Sequence, residues 1–498
     1  MRIQKGPGWS RPRAYVAAGL AMFLSFMVGS VVLVWSSGVE AKPLSSGLVA
    51  RGSVTKTLAS NWPSFRGPGG NGVADGTELP DRLDVGDGTN LAWRQEIPGL
   101  AHASPIIWED RVYVTSVVTS GPPQRFIAEL PDTPESVAGR WLHRWIVMAI
   151  DKHTGDVLWE RIAAEGTPRT GRLRKGSFNN STPATDGQHI VALLGSQGLF
   201  CYDVNGNLLW RVDLGVLDAG WFFDPTFQWG MASSPVIHEG KVIVQADVRG
   251  GAFIAAFDVA NGTELWRTAR DEVSSFSTPA IIRTNGVSEV VTNGGRAVRA
   301  YGLANGEELW TLRPSSEIAV PTPIFAHGLI FVGSGYLPQQ PFYAIRPGGV
   351  GDISLPSGQG SSLQVVWTLA DAGPLISTPI VVGDYLFIMQ RDGTLSCFDA
   401  VTGIPIYTER IIGAPELADE TSLPRTGESL ATYTASPVAS NGKLYVVSDL
   451  GDIHVIDAGP FLEILGSYSV GEGVFSTPAI SDGMFLVRGL DHLFAFSR

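Results

Sequence analysis

Cysteine is nearly missing from this chain: Cys201 and Cys397 are the only two in 498 residues. A disulfide-dense scaffold is therefore excluded. Charge is thin as well, at 17% of residues with a formal net of −12, and no sustained Lys/Arg cluster occurs beyond the N-terminus. That excludes nucleic acid as a partner. No His-x-x-x-His or Glu-x-x-His spacing exists, so a zinc site has no support. Nucleophile elbows and Walker loops are missing too, and the carboxylates are scattered along turns.

What is present is glycine, at 59, proline, at 32, and an apolar fraction of 44%. That composition suits a large core of many short strands joined by turns. One order of residues keeps returning. "AIDKHTGDVLW" carries Ala149, Asp151, Gly155 and Trp159; "AAFDVANGTELW" carries Ala256, Asp258, Gly262 and Trp266 at the same offsets. "RAYGLANGEELW" ends on Trp310, "CYDVNGNLLW" holds Asp203 and Trp210 one residue closer, and "CFDAVTGIPIY" keeps Asp399 and Gly403 with Tyr407 for Trp. Self-similarity of this kind marks a repeat architecture.

A second marker counts the units. Ser or Thr followed by Pro recurs at 104, 182, 234, 278, 322, 378, 436 and 477. The gaps scatter around a core period in the forties, and a four-stranded propeller blade takes about 40 to 50 residues. Each unit reads as four short strands. The Gly sits in a tight turn that needs positive φ between the third and fourth, and the Asp bonds back to the turn amides. The Trp is a flat wedge that docks on the next blade.

The last unit has three strands and no Trp, whereas "NLAWRQEIPG" around Trp93 looks like a fourth strand in search of a blade. The expected fold is all-β: an eight-bladed β-propeller of four-stranded antiparallel blades, with the N-terminal strand near Trp93 completing the last blade. Closure of that kind leaves only short, protected edges. Cys201 and Cys397 then fall in blades 2 and 6, on opposite sides of the ring, too far apart for the 4.4 to 6.8 Å that a disulfide spans. They are expected to be free, buried thiols.

The first residues stand apart. Arg2, Lys5, Arg11 and Arg13 precede an uncharged stretch from Ala14 to Trp35, and Val39-Glu40-Ala41 has the small residues of a signal-peptidase site. Residues 1–41 read as a signal peptide or an N-terminal membrane anchor, 42–60 as a linker and 61–498 as the propeller. The expected place is periplasmic or otherwise extracytoplasmic, with membrane association through residues 14–35 if that segment is uncleaved, and the expected state is a monomer.

Long insertions at 116–144, 160–180, 211–232 and 408–433 fall on one face, and 347–364 on the other. Function tends to reside on such loops. "RTGRLRKGSFNN" and "GWFFDPTFQWG" supply a candidate rim for a ligand or partner: Arg172, Arg174, Lys175, Asn179, Trp221, Phe223 and Trp229.

The pattern A-x-D-x-x-[TN]-G-x-x-x-W, with [ST]-P opening each blade and "NWPSFRGPGGNGVADG" as leader, resembles the pyrroloquinoline-quinone (PQQ)-like propeller repeat over about residues 62–498. The resemblance implies two branches. Quinoprotein dehydrogenases hold the quinone with Ca²⁺ on the ring axis and oxidise alcohols or sugars. The outer-membrane assembly lipoprotein has the same ring, no cofactor, and a protein partner. Two adjacent cysteines typical of the first branch are missing, and so is the Cys that follows the signal run in the second. The expected function is an exported, non-catalytic scaffold that binds a partner protein or ligand at its loop-rich face, with no cofactor and with a protein partner in the envelope. A PQQ-dependent oxidoreductase with Ca²⁺ is the alternative, and a carbohydrate-binding propeller the third reading.

Overall fold

The computed structural model describes residues 61–76, 78–80, 82–122, 135–411 and 431–498. The signal or anchor and linker segments, 1–60, lie outside the described residues, as does most of the 408–433 insertion. No helix among the described residues is long and apolar enough to cross a membrane.

Eight four-stranded antiparallel sheets follow one another as blades. Blade 1 is built from Ile106–Trp108, Arg111–Thr119, His143–Asp151 and Val157–Gly166. Blades 2 to 7 span 184–212, 236–269, 280–312, 324–369, 380–410 and 438–469. Blade 8 takes Ala479–Ser481, Met484–Arg488 and His492–Phe496, and its fourth strand is Leu91–Glu96. That strand pairs antiparallel with His492–Phe496, placing Trp93 opposite Ala495.

The repeat residues have one geometry. The Trp of the outer strand pairs across with a small residue of the third strand: Trp159 with Ala149, Trp210 with Cys201, Trp266 with Ala256, Trp310 with Ala300, Trp367 with Ala344. Its ring lies over the turn glycine of the following blade. A Cβ on Gly206 would meet Trp159, one on Gly262 would meet Trp210, and one on Gly155 would meet Trp93, each at 2.7–2.8 Å. The indole N–H donates to a carbonyl of the same turn: Trp159 to Val204, Trp210 to Val259 and Trp93 to Lys152, at 2.7–3.0 Å. The wedge therefore satisfies its one polar atom while burying its ring. The Asp that opens the turn accepts the amides of the next residues. In blade 1 the Asp151 Oδ1 takes the N–H groups of His153 and Thr154, and the Thr154 amide is the main cause holding this carboxyl below its usual range.

The cysteines occupy the small-residue position, Cys201 opposite Trp210 and Cys397 opposite Tyr407, and both are buried free thiols. Burial pushes each up to about 12, which keeps them protonated and unreactive.

The insertion at 347–364 does more than cross a face. Gly351–Asp352 adds a fifth, parallel strand to the outer edge of blade 4, opposite Trp310 and Thr311.

Two glycines separate backbone strain from wedge packing. Gly240 and Gly262 share a φ near +70°, but a Cβ at Gly240 meets nothing within 4 Å. Gly262→Ala is expected to lower stability by about 1–3 kcal/mol more than Gly240→Ala, the usual cost of overpacking, read as the difference in urea unfolding midpoints.

Candidate functional site

The axis is lined by the Ser/Thr-Pro residues. Proline holds the residue before it extended and needs no partner for its own missing N–H. Each preceding Ser or Thr therefore presents its N–H along the ring and its hydroxyl inward. The Ser104 N–H donates to Thr182 Oγ1, Thr182 to Ser234 and Ser234 to Thr278, all at 3.0 Å. Thr278 donates to Thr322 at 3.4 Å, Thr322 to Thr378 and Thr378 to Ser436 at 3.0 Å. Ser436 donates to Thr477 at 3.1 Å and Thr477 returns to Ser104 at 3.0 Å. Eight blades are thus linked in one closed girdle of amide-to-hydroxyl bonds.

The leader closes the axis on the face of the first-to-second-strand turns. Trp62 bridges Ile107 of blade 1, the Pro63 carbonyl accepts from Thr185 of blade 2, Asn71 accepts from Phe325 of blade 5, and Ala74 pairs with Ala439 of blade 7. At its centre the fully buried Arg66 donates to the carbonyls of Pro379 and Pro437, the prolines that follow two girdle residues, and to those of Gly70 and Asn71. Burial pushes this guanidinium down to about 9, so it remains charged at neutral pH, and its partners among the described residues are backbone carbonyls. Gly67 and Gly72 make the plug possible: at positive φ their missing side chains leave room for Trp62 and Arg66.

Above the girdle lies an axial cavity of about 400 Å³. Its lining includes all eight girdle residues, Phe65 from the plug, and an apolar wall with Trp229, Phe276, Ile318, Leu375 and Phe475. Arg174, Lys175 and Arg391 contribute cations. Asp449 is the single carboxylate among the described lining residues, and its oxygens are taken by the Thr432 hydroxyl and by the amide and hydroxyl of Thr434. Burial nevertheless raises it above the usual carboxylate range. His102 packs against Phe475, ring centroids 4.9 Å apart and tilted by 39°, and bonds through Nε2 to the Lys175 carbonyl. Burial pushes it down to about 4, with nearby Arg172 and Arg488 acting in the same direction, so it is neutral at physiological pH.

Three of the insertions meet over blades 1 to 3. Ser136–Val137 and Arg172–Leu173 form a small two-stranded sheet. The Ser136 hydroxyl donates to the Gln228 carbonyl, and Gln228 Oε1 accepts the Gly171 amide. Arg249 clamps the aromatic loop, forking onto Asp218 and donating to the carbonyls of Trp221, Asp224 and Pro225. The result is a platform that carries Trp141, 55% exposed, and Phe223, 69% exposed, with the Arg140 side chain beside Trp141 in sequence.

The candidate rim residues are divided by this arrangement. Arg174, Lys175 and Trp229 line the cavity. Trp221 and Phe223 belong to the platform, ring to ring at 5.8 Å. Arg172 and Asn179 are not at a rim at all: both are buried. Arg172 donates to the carbonyls of Leu173, Arg174 and Gly176, and Asn179 Nδ2 donates to Thr115. Their loop consumes them. Sequence reasoning passed over Phe65, Arg391 and Asp449, and read the eightfold recurrence of a hydroxyl before proline as a count of blades, not as the lining of the axis.

His102 gives the site a pH signature. Its folded-state value lies below the ordinary 6.5, so the unfolded chain binds the proton more readily. Stability is full above 6.5 and is lost as pH falls from there toward about 4. His102→Phe, which keeps the ring against Phe475, is expected to lose less stability over that window, measured by denaturant unfolding at stepped pH.

No curated protein is similar enough in sequence to count as a relative. Among solved structures, quinohemoprotein alcohol dehydrogenase from Comamonas testosteroni is similar at a TM-score of 0.56 and 12% identity, covering 88% of this chain and 80% of that one. Quinohemoprotein alcohol dehydrogenase ADHIIG from Pseudomonas putida HK5 gives 0.52 and 12%, with the same coverages of 88% and 80%. BamB from Moraxella catarrhalis gives 0.45 and 14%, covering 76% of this chain and 98% of that one. At such identities the two dehydrogenases speak for the fold alone. Residues 143–405, more than half of the chain, match the family described as outer membrane protein assembly factor BamB, and the protein belongs to that family.

Proposed function

We propose that this protein is a non-catalytic docking scaffold of the cell envelope that holds a partner protein on its loop-rich face. One observation carries the reading: the insertions of blades 1 to 3 are knitted into a single platform that leaves large aromatic side chains in solvent. Trp141, Leu142, Val216 and Phe223 are each more than 40% exposed. Large exposed aromatics, with arginine nearby, are the side chains that anchor protein interfaces. The family description, an outer-membrane assembly factor, and the basic, then apolar, N-terminal sequence support an envelope location.

The chemistry of the cavity argues against the quinone-dependent alternative. A Ca²⁺-bound quinone needs several oxygen ligands around the cation. Here Asp449 is the one carboxylate among the described lining residues; it is engaged by two threonines, and burial raises it above the usual carboxylate range. The cations on the wall would repel a second one.

A photo-reactive residue placed at Phe223 or Trp141 is expected to yield a discrete adduct in envelope preparations. The same group at Val287, equally exposed on the opposite face, is expected to yield none. Phe223→Glu should abolish the adduct formed from position 141 while changing stability by no more than about 0.5 kcal/mol. Equal labelling from 223 and 287 would refute the platform as the docking face.

A further inference from the structure

The girdle hydroxyls have a second valence to fill. Each oxygen accepts the amide of the preceding blade. None of the eight donates its O–H to an acceptor among the described residues, and all eight are more than nine-tenths buried. A hydroxyl is a donor as well as an acceptor, so these donors are open to an acceptor placed in the cavity. The floor of the cavity is therefore a ring of donors in want of acceptors. Its walls are of the opposite character, apolar at Phe276, Ile318 and Leu375, with cationic Arg174 and Lys175 on the blade 2 side. Arg174 is exposed and makes no ion pair with the described residues.

We propose that the axial cavity is a binding site for an amphipathic carboxylate. The carboxylate oxygens accept from girdle hydroxyls, Arg174 supplies the compensating charge, and the apolar body packs on Phe276, Ile318 and Leu375. The volume of about 400 Å³ lies in the range of sites that enclose small organic ligands. A sugar fits the same walls poorly: its hydroxyls can accept from the girdle, but each also brings a donor to be satisfied, and Asp449, the lining carboxylate, is already occupied by Thr432 and Thr434. A neutral apolar molecule would fill the space and leave the girdle donors unsatisfied. The proposal is independent of the docking platform, and Phe223→Glu should leave it intact.

The test uses the full chain and the dye 8-anilinonaphthalene-1-sulfonate, an apolar body with one anionic head. Its fluorescence is read as the difference from Ala232→Trp in the same buffer, so that dye bound elsewhere cancels. Ala232 is a half-buried lining residue, and Trp there fills the cavity. Decanoate is expected to displace the dye at concentrations about tenfold lower than decanol, since hydrogen bonds to a charged acceptor are roughly twice as strong as those to a neutral one. Thr322→Val removes one donor at the longest link of the girdle, the 3.4 Å bond from Thr278, and so disturbs the ring least. It should weaken decanoate severalfold and leave decanol unchanged. Arg174→Glu, on an exposed side chain that folding does not need, should weaken decanoate further and make what remains less dependent on salt.

The same chemistry is offered by a free fatty-acid-like molecule and by the apolar C-terminus of a peptide. N-acetyl-Val-Leu-Leu as the free acid and as the amide separates the two: displacement by decanoate alone names the first, displacement by the acid but not the amide the second. Equal displacement by decanoate and decanol, or no loss on Arg174→Glu, would overturn the proposal. So would identical dye fluorescence in Ala232→Trp protein whose thermal unfolding matches the native chain.

Discussion

The ring depends on a single contact made again and again: an indole laid over the turn of the next blade. Within a blade the hydrogen bonds are local and would form in any antiparallel sheet. Nothing in them says how one sheet stands beside another. The wedge does. It demands glycine at the turn, because any Cβ would enter the ring, and a small residue across the strand, where Ala149, Cys201, Ala256, Ala300 and Ala344 stand. The indole N–H adds direction to a contact that area alone would leave free to slide. The girdle fixes the inner ends of the same blades. Outer wedge and inner girdle together set both the spacing and the tilt of neighbouring sheets.

A frame held at two radii can carry unequal loops. Blade 1 extends its second, third and fourth strands to nine and ten residues, whereas those of blade 2 have five. The platform rests on that longer blade and on loops that reach it from blades 2 and 3. Its hydrogen bonds join residues far apart in sequence, Ser136 with Gln228 and Gly171 with Gln228. These contacts cost chain entropy that only a rigid base can offset.

The same distinction explains what could be read from the residues and what could not. The blade count, the role of Trp93 and the seats of both cysteines follow from steric rules that act over a few residues and recur around the ring. Arg172 and Asn179 were legible as polar loop residues, but not as buried ones. A cation in a loop of charged neighbours looks solvated until the loop folds back and offers it three carbonyls. Phe65 and Asp449 meet in one cavity from opposite ends of the chain, and no local pattern announces such a meeting. The Ser/Thr-Pro pairs were plain as markers. Their function as a closed girdle is a property of the circle, which no single repeat contains.

The joint between blades 4 and 5 shows that the constraint is physical and not merely a motif. There the tight turn has been replaced by the long connection at 347–364; Trp310 still packs on a glycine of it, Gly349, where a Cβ would lie 3.2 Å from the ring, but it bonds no turn carbonyl. Its N–H goes instead to Glu289 Oε2 at 2.8 Å, and the other carboxylate oxygen accepts the Gly348 amide at 3.0 Å. Burial raises the Glu289 pKa in spite of these two bonds, so the carboxyl is held there at a cost. The inserted chain then lays Gly351–Asp352 along the exposed strand edge, and Trp310 ends at 1% exposure where Trp93, Trp159, Trp210 and Trp367 keep 7–9%. An open sheet edge and an unsatisfied indole are both liabilities. One insertion removes both, and the ring passes through its most irregular joint with the wedge intact.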